Sequence, residues 1–70
     1  MKLMLARIRR QRRLTKYKLH QVTGISKSYL TELESGKYMN PSLSVVCKLA
    51  KALECSLDEL VDCEEEGYHE

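Results

Sequence analysis

The sequence contains no long apolar run, no flexible linker and no internal repeat. Its terminal apolar stretch, residues 3–6, ends at Arg7 and is too short for a secretory signal or a membrane span. No glycine- or serine-rich segment divides the 70 residues, so they make one domain with a small core. These absences predict a single cytosolic domain that does not enter a membrane.

The three cysteines fit neither a metal knuckle nor a disulfide framework. Cys47, Cys55 and Cys63 are odd in number and eight residues apart, whereas such sites need closely spaced or paired cysteines. We expect Cys47 and Cys55 to behave as small apolar residues near the core. Around Cys63 the tail offers only His69 and glutamates as further ligands, so we predict no metal and no other cofactor.

Residue patterns typical of an active site are also absent. The chain has no nucleophile with a matching histidine, no carboxylate pair suited to a pocket and no glycine-rich phosphate loop. We therefore expect neither an enzyme nor a small-molecule ligand. No segment alternates between apolar and polar residues for long enough to be a strand, which favours an all-α fold.

Residues 15–36 instead carry two helix signals separated by a tight turn. Thr15 and Ser26 can each cap a helix by accepting a hydrogen bond from a backbone N–H group of its first turn. Gly24 and Gly36 stand just past the two helices, where a left-handed backbone is needed. The arrangement is that of a DNA-binding helix-turn-helix with a polar outer face. The apolar side chains that can meet in one core are Leu19, Ile25, Leu30 and Leu33.

One further helix precedes this motif and two follow it. The first is predicted over about residues 3–12, and the two helices of the motif over about 16–23 and 27–35. After a loop at 37–41, a proline fits the entry to the fourth helix. We therefore predict a compact all-α domain of five helices over residues 1–63.

Caps and apolar spacing define the fourth and fifth helices. Asn40 or Ser42 can cap the fourth, and Ser56 with Glu59 has the spacing of a capping box for the fifth. Apolar side chains recur along both helices at the steps expected of a buried face. They are Leu43, Val46, Leu49, Ala50, Leu53, Leu57, Leu60 and Val61.

Charge is divided between the two ends of the chain. The net charge is only +2, but residues 1–20 hold eight basic and no acidic residues, and residues 54–70 hold eight acidic and no basic ones. Solvated helix faces that keep the protein soluble are one interpretation. The concentration of basic residues beside a helix-turn-helix favours another, in which that end approaches DNA phosphate. Residues 64–70 are expected to be a flexible acidic tail.

A series of short motifs runs along nearly the whole chain. They are Ile8-Arg9, Leu14-Thr15, Gly24-Ile25-Ser26, Leu33-Glu34-Ser35-Gly36-Lys37, Pro41-Ser42-Leu43 and Ser56-Leu57-Asp58-Glu59-Leu60. In order and spacing, over about residues 3–62, they resemble the phage repressor and Cro-type helix-turn-helix proteins (the xenobiotic-response-element family). Two positions depart from the family, which usually has glutamine in place of Lys16 and a small alanine in place of His20.

The resemblance implies how the domain would read DNA. In the family the second helix of the motif enters the major groove, and its base-reading positions fall on Lys27, Ser28 and Glu32, with Thr31 as a further candidate. Lys27 can donate to guanine O6 and N7, and Glu32 can accept from cytosine N4. Ser28 can donate or accept and so specifies little. An ordinary exposed helix face is the alternative, most seriously for Glu32, because DNA repels a carboxylate.

Phosphate contacts are expected beside these base-reading positions. Lys16 keeps the reach of the family's glutamine and adds a charge where the helix dipole already favours an anion. Tyr29 either reaches a phosphate or packs across the second helix, and His20 is either a pH-sensitive element or an inert, partly exposed side chain. The other candidates are Thr15, Tyr17, Ser35, Lys37 and Tyr38.

The resemblance also implies an ion pair between Arg9 and Glu34. In the family this pair ties the first helix to the end of the third, since a planar guanidinium meets a carboxylate through two parallel hydrogen bonds. Without the resemblance, both side chains would be interpreted as solvated.

The sequence therefore predicts a sequence-specific transcriptional regulator, most simply a repressor, that binds double-stranded DNA. One such domain buries too little surface for tight specific binding, so a homodimer on a near-palindromic site is expected. The dimer surface would involve the fourth and fifth helices and the tail through Tyr68. A second hypothesis is a protein-interaction module, such as an antitoxin or transcription adaptor, whose acidic C-terminal side binds a partner protein.

Overall fold

The computed structural model describes residues 2–36 and 41–62, and within those residues it has five helices and one two-stranded sheet. Helices make up most of this part of the chain, so the predicted five-helix all-α fold is confirmed. The predicted boundary at residue 63 and the acidic tail lie outside the described residues. In chain order the elements are β1 (Lys2–Leu3), α1 (Leu5–Gln11), α2 (Lys16–Thr23), α3 (Lys27–Ser35), α4 (Leu43–Leu53), α5 (Leu57–Leu60) and β2 (Val61–Asp62).

Local sequence sets the ends of α2 and α3. Thr15 Oγ1 and Ser26 Oγ each accept a hydrogen bond from a backbone N–H group of the following turn, at 3.0 Å and 3.1 Å. Gly24 and Gly36 end the helices with φ angles of 79° and 86°, in the left-handed region. Both predicted caps and both predicted stops are therefore confirmed.

A single apolar core joins the helices. Leu19 of α2 and Leu30 of α3 are fully buried in it, together with Leu49 of α4. Because protein interiors are close-packed, this shared core fixes the orientation of α3 relative to α2. The buried apolar side chains are Leu5, Ile8, Leu19, Ile25, Leu30, Leu33, Val46, Leu49, Ala50, Leu53 and Leu60.

Serine residues cap α4 and α5. Ser42 Oγ accepts from a backbone N–H group at 3.2 Å, which resolves the choice of cap for α4. The capping box of α5 is confirmed, because the Glu59 N–H group donates to Ser56 Oγ at 3.1 Å and the Ser56 N–H group donates to Glu59 Oε1 at 2.8 Å.

Two residues expected in the core are instead exposed. Leu43 is 70% exposed and Leu57 is 42% exposed. Each lies one turn before the first buried side chain of its helix, Val46 in α4 and Leu60 in α5. The apolar spacing is helical at both positions, but the core ends before it reaches them.

A short antiparallel sheet joins the two ends of the described chain. Residues 2–3 pair with residues 61–62, so the prediction that the chain forms no strand is wrong here. Consequently α1 begins at Leu5 rather than at residue 3, and Val61 leaves α5 to enter β2. Strands of two residues are too short to show an alternating pattern, which is why the sequence did not reveal them.

Arg9 connects α1 to the turn before α2 and to the end of α3. Its Nε and Nη2 donate to the two carboxylate oxygens of Glu34 at 2.7 Å and 3.3 Å, and its Nη1 donates to the Leu14 carbonyl at 2.8 Å. Only 12% of the Arg9 side chain and 8% of the Glu34 side chain are exposed. The structure thus contains the ion pair that the family resemblance implies, with the two-bond geometry of a guanidinium and a carboxylate.

The cysteines that the structure describes are half-buried. Cys55 packs against the core, as expected for a small apolar residue. Burial raises the pKa of the Cys55 thiol, nearby Glu59 adds to the rise, and Arg12 opposes it. The described residues hold no group of three or more His, Cys, Asp or Glu side chains suited to a metal ion. Cys63 and His69 lie outside the described residues.

Candidate nucleic-acid interface

The outer face of α3 is polar from its first residue. Lys27, Ser28 and Thr31 are exposed, whereas Leu30 and Leu33 on the opposite side are buried. Residues three and four positions apart share one side of a helix, so the three polar side chains present a common surface. Glu32, the fourth candidate base contact, is half-buried at the edge of this surface.

Lys16 reaches from the start of α2 to α3. Its Nζ donates to Thr31 Oγ1 at 3.2 Å and lies 3.9 Å from Glu34 Oε1. A predicted phosphate contact and a predicted base contact are therefore joined in the DNA-free protein. An ammonium group has three donors, so Lys16 can hold Thr31 and still donate to a phosphate.

An aromatic ring of α2 contacts the first residue of α3. Lys27 Nζ lies over the Tyr17 ring, 5.6 Å from its centroid. Gln21 Nε2 donates to the Tyr17 hydroxyl oxygen at 3.1 Å, and the His20 ring lies 6.2 Å from the Tyr17 ring, tilted by 45°. Sequence reasoning missed this cluster: Tyr17, His20 and Gln21 share helical spacing on α2, but the contact with Lys27 depends on how α3 packs against α2.

His20 closes the turn between α2 and α3. Its Nδ1 lies 2.8 Å from the Ile25 carbonyl oxygen, and because a carbonyl only accepts, we assign a proton to this nitrogen. On the other side of the turn, Thr23 Oγ1 donates to the Leu19 carbonyl at 2.7 Å and accepts from the Ile25 N–H group at 3.1 Å. Neither interpretation of His20 from sequence included this bond, which a small residue at the position could not make.

The remaining phosphate candidates differ in what their side chains already contact. Thr15 Oγ1 accepts the cap bond, so its proton remains able to meet a phosphate. Ser35 Oγ donates to the Glu32 carbonyl at 2.7 Å and would have to release it to reach DNA. Tyr29 is half-buried and packs against the core, and a phosphate contact by this residue stays a prediction. Two candidates lie outside the described residues; they are Lys37 and Tyr38.

The fold and this surface together define a helix-turn-helix DNA-binding domain: α3 is held by the core, exposes a polar face and follows a glycine turn. Residues 4–66 match the family model of the Cro/C1-type HTH DNA-binding domain. The chain belongs to this family. No helix within residues 2–36 and 41–62 has the length and apolar character needed to cross a membrane.

Curated proteins and solved structures are similar to the chain, among them the following three. The HTH-type transcriptional regulator SlrR of Bacillus subtilis (strain 168) is 39% identical over an alignment of 64 residues that covers 87% of this chain and 42% of that protein. The uncharacterized HTH-type transcriptional regulator y4dJ of Sinorhizobium fredii (strain NBRC 101917 / NGR234) is 41% identical over 56 residues, or 80% of this chain and 71% of that protein. A structure of the SinR protein/SinI protein complex matches with a TM-score of 0.78 and 26% identity, covering 93% of this chain and 63% of that chain. The chain thus spans less than half the length of SlrR.

Proposed function

We propose that this protein is a sequence-specific transcriptional regulator, most simply a repressor, that reads the major groove of DNA with α3. The main support is the exposed polar face at the start of α3, which Leu30 and Leu33 hold rigidly from the buried side. Membership of a DNA-binding family and the names of two relatives support the same role. The proposal includes double-stranded DNA as the partner. It also includes a binding rather than a catalytic role, and a cytoplasmic location.

Three polar residues on α3 have a defined part in this proposal. Lys27 donates to guanine O6 and N7, Glu32 accepts from cytosine N4, and Ser28 adds a contact that discriminates little. Each good base contact contributes about 1–3 kcal/mol of discrimination against the wrong base. Lys16 and Thr15, at the start of α2, hold the phosphates beside the groove.

The test begins with selection of bound sites from random duplexes. A Lys27→Ala/Ser28→Ala protein should then bind the preferred duplex at least about tenfold more weakly, because it loses two contacts to base edges. Ser44→Ala/Lys48→Ala is a matched control for residue type and charge on an exposed part of α4, and its oligomeric state is measured alongside because α4 belongs to the expected dimer surface. Circular dichroism establishes that each variant is folded. A folded Lys27→Ala/Ser28→Ala protein with unchanged affinity would overturn the proposal.

A homodimer on near-palindromic sites is part of the same proposal. One small domain covers too little DNA for tight specific binding, and two copies would place their recognition helices about 34 Å apart, one turn of duplex. The DNA motif obtained by selection tests whether the chain binds as a dimer. Two inverted half-sites, with two chains per bound duplex, support the dimer, and a single half-site bound by one chain contradicts it.

A protein-interaction module is the second candidate function. It is favoured by the solved neighbour, in which SinR is in complex with another protein, SinI. Under this alternative the chain would show only non-specific DNA binding, while a defined protein partner would co-purify with it. Sharp, sequence-dependent binding at moderate salt favours the regulator instead.

A further inference from the structure

The Tyr17 ring links the two helices of the motif at the point where α3 begins. Lys27 Nζ lies over this ring at 5.6 Å from its centroid, within the roughly 6 Å range in which an aromatic face attracts a cation. Tyr17 belongs to the first turn of α2, whereas Lys27 is the first residue of α3. The contact therefore joins a predicted phosphate contact to a predicted base contact.

The ring itself is restrained by two neighbours on α2. Gln21, one turn further along, donates to the Tyr17 oxygen at 3.1 Å. The His20 ring lies 6.2 Å away, and His20 is in turn held by the Ile25 carbonyl at 2.8 Å. Tyr17 thus has two side-chain neighbours on α2 that favour this position of its ring, although it is 56% exposed.

A restrained ring has a direct consequence for Lys27. A long exposed side chain loses rotamer entropy when DNA immobilises it, and a contact made beforehand reduces that loss. We propose that Tyr17 is a positioning residue, whose ring face holds the Lys27 ammonium where it meets a base. This inference rests on the proposed function, in which Lys27 contacts guanine. It assigns specificity to the ring rather than phosphate contact to the hydroxyl.

Two other roles for Tyr17 give different results. A hydroxyl that contacts phosphate contributes equally to all sequences, so its removal would weaken every duplex alike. A ring that merely withholds Lys27 from DNA would oppose binding, so its removal would strengthen it. Only a positioning role makes the discrimination at the Lys27 base pair depend on the ring face.

The experiment compares Tyr17→Leu, which removes the aromatic face, with Tyr17→Phe, which keeps that face and the neighbouring His20 ring but loses the hydrogen bond from Gln21. Lys27→Ala first identifies the base pair that Lys27 reads, and Kd is then measured by fluorescence anisotropy on the preferred duplex and on one changed at that base pair. We expect Tyr17→Leu to reduce this discrimination by about two- to fivefold, the range of an exposed cation–π contact, and Tyr17→Phe to preserve it. Val22→Ala, an exposed change on the same helix, is the control.

A double-mutant cycle separates positioning from a general structural effect. In a Lys27→Ala background, Tyr17→Leu should have no further effect on discrimination, because the residue through which it acts is gone. Three results would each overturn the inference. They are additive effects of Tyr17→Leu and Lys27→Ala on discrimination, a loss of discrimination in Tyr17→Phe, and tighter DNA binding by Tyr17→Leu. If the unaltered protein prefers no duplex, the proposed function fails and the inference with it. A preferred duplex with unchanged discrimination in Tyr17→Leu refutes the inference alone.

Discussion

Glu34 lies between basic side chains from two different helices. Arg9 Nε is 2.7 Å from one carboxylate oxygen, and Lys16 Nζ is 3.9 Å from the other. With only 8% of its side chain exposed, the carboxylate has little water to replace these partners. Removal of one member of such a pair lowers the free energy of unfolding, because it leaves a buried charge poorly compensated.

Replacement of Glu34 measures this penalty at the scale of a single residue. Glu34→Ala should lower the free energy of unfolding by about 3 kcal/mol, because Arg9 keeps only its bond to the Leu14 carbonyl. Urea denaturation gives the value, and Asp58→Ala, which removes an exposed carboxylate from α5, serves as the control. If Glu34→Ala melts at the parent temperature, the pair does not stabilise the fold.

At the scale of the helices, backbone conformation sets where each element ends. Gly24 takes a φ of 79°, and a Cβ added there would meet no atom within 4 Å. Any penalty for a side chain at this position is therefore conformational rather than steric. Arg13 and Glu54 adopt φ angles of 58° and 55° although they carry a Cβ, so each already bears that strain.

Substitutions at Gly24 and at Arg13 should change the free energy of unfolding in opposite directions. Gly24→Ala is expected to lower stability by about 1 kcal/mol, the lower end of the cost of a left-handed residue with a Cβ. Arg13→Gly relieves the same strain and should raise stability by a few tenths of a kcal/mol, after the greater freedom of glycine in the unfolded chain is subtracted. Thermal denaturation of both variants in one buffer checks the signs. A Gly24→Ala protein as stable as the parent would contradict the role given to the left-handed turn.

The elements that sequence predicted are those with local signals. The cap at Ser26 and the stop at Gly24 act through backbone groups within one turn, so α2 and α3 could be predicted to the residue. The β1–β2 pair could not, because it joins opposite ends of the described chain through strands too short for a pattern. The exposure of Leu43 could not either, since helical spacing indicates a face but not where the core stops.

The same division applies to the candidate interface. The exposed face at Lys27 and Ser28 follows from the helical period of α3 and its buried leucines, and could be predicted. The contact of Tyr17 with Lys27 depends on how α2 crosses α3 and on side-chain rotamers, which no spacing in the sequence encodes. The hydrogen bond from His20 to the turn depends on the same geometry.

Across the whole molecule, the basic residues serve two different purposes. Arg9 is largely buried against Glu34, and the exposed Arg12 donates to backbone carbonyls, so both have partners within the fold although the chain's first twenty residues contain eight basic side chains. Arg12 Nε donates to the Leu53 carbonyl at 2.7 Å and its Nη2 donates to the Glu54 carbonyl at 3.3 Å, at the end of α4 where the helix dipole favours a cation. The positive charge available to DNA is therefore smaller than the composition suggests.

The salt dependence of DNA binding should distinguish a cation that contacts phosphate, Lys16, from one that stabilises the fold, Arg12. Lys16→Ala removes a proposed phosphate contact, so it should weaken all duplexes alike and flatten the slope of log Kd against log salt by about one unit. Arg12→Met keeps the apolar stem but leaves the last carbonyls of α4 without a charged donor, so it should lower stability by about 1–2 kcal/mol and leave the slope unchanged. Lys48→Met, an exposed change on α4, controls for the loss of one charge, and its oligomeric state is measured alongside because α4 belongs to the expected dimer surface. A flattened slope in Arg12→Met would mean that its guanidinium contacts phosphate, and an unchanged slope in Lys16→Ala would remove that residue from the interface.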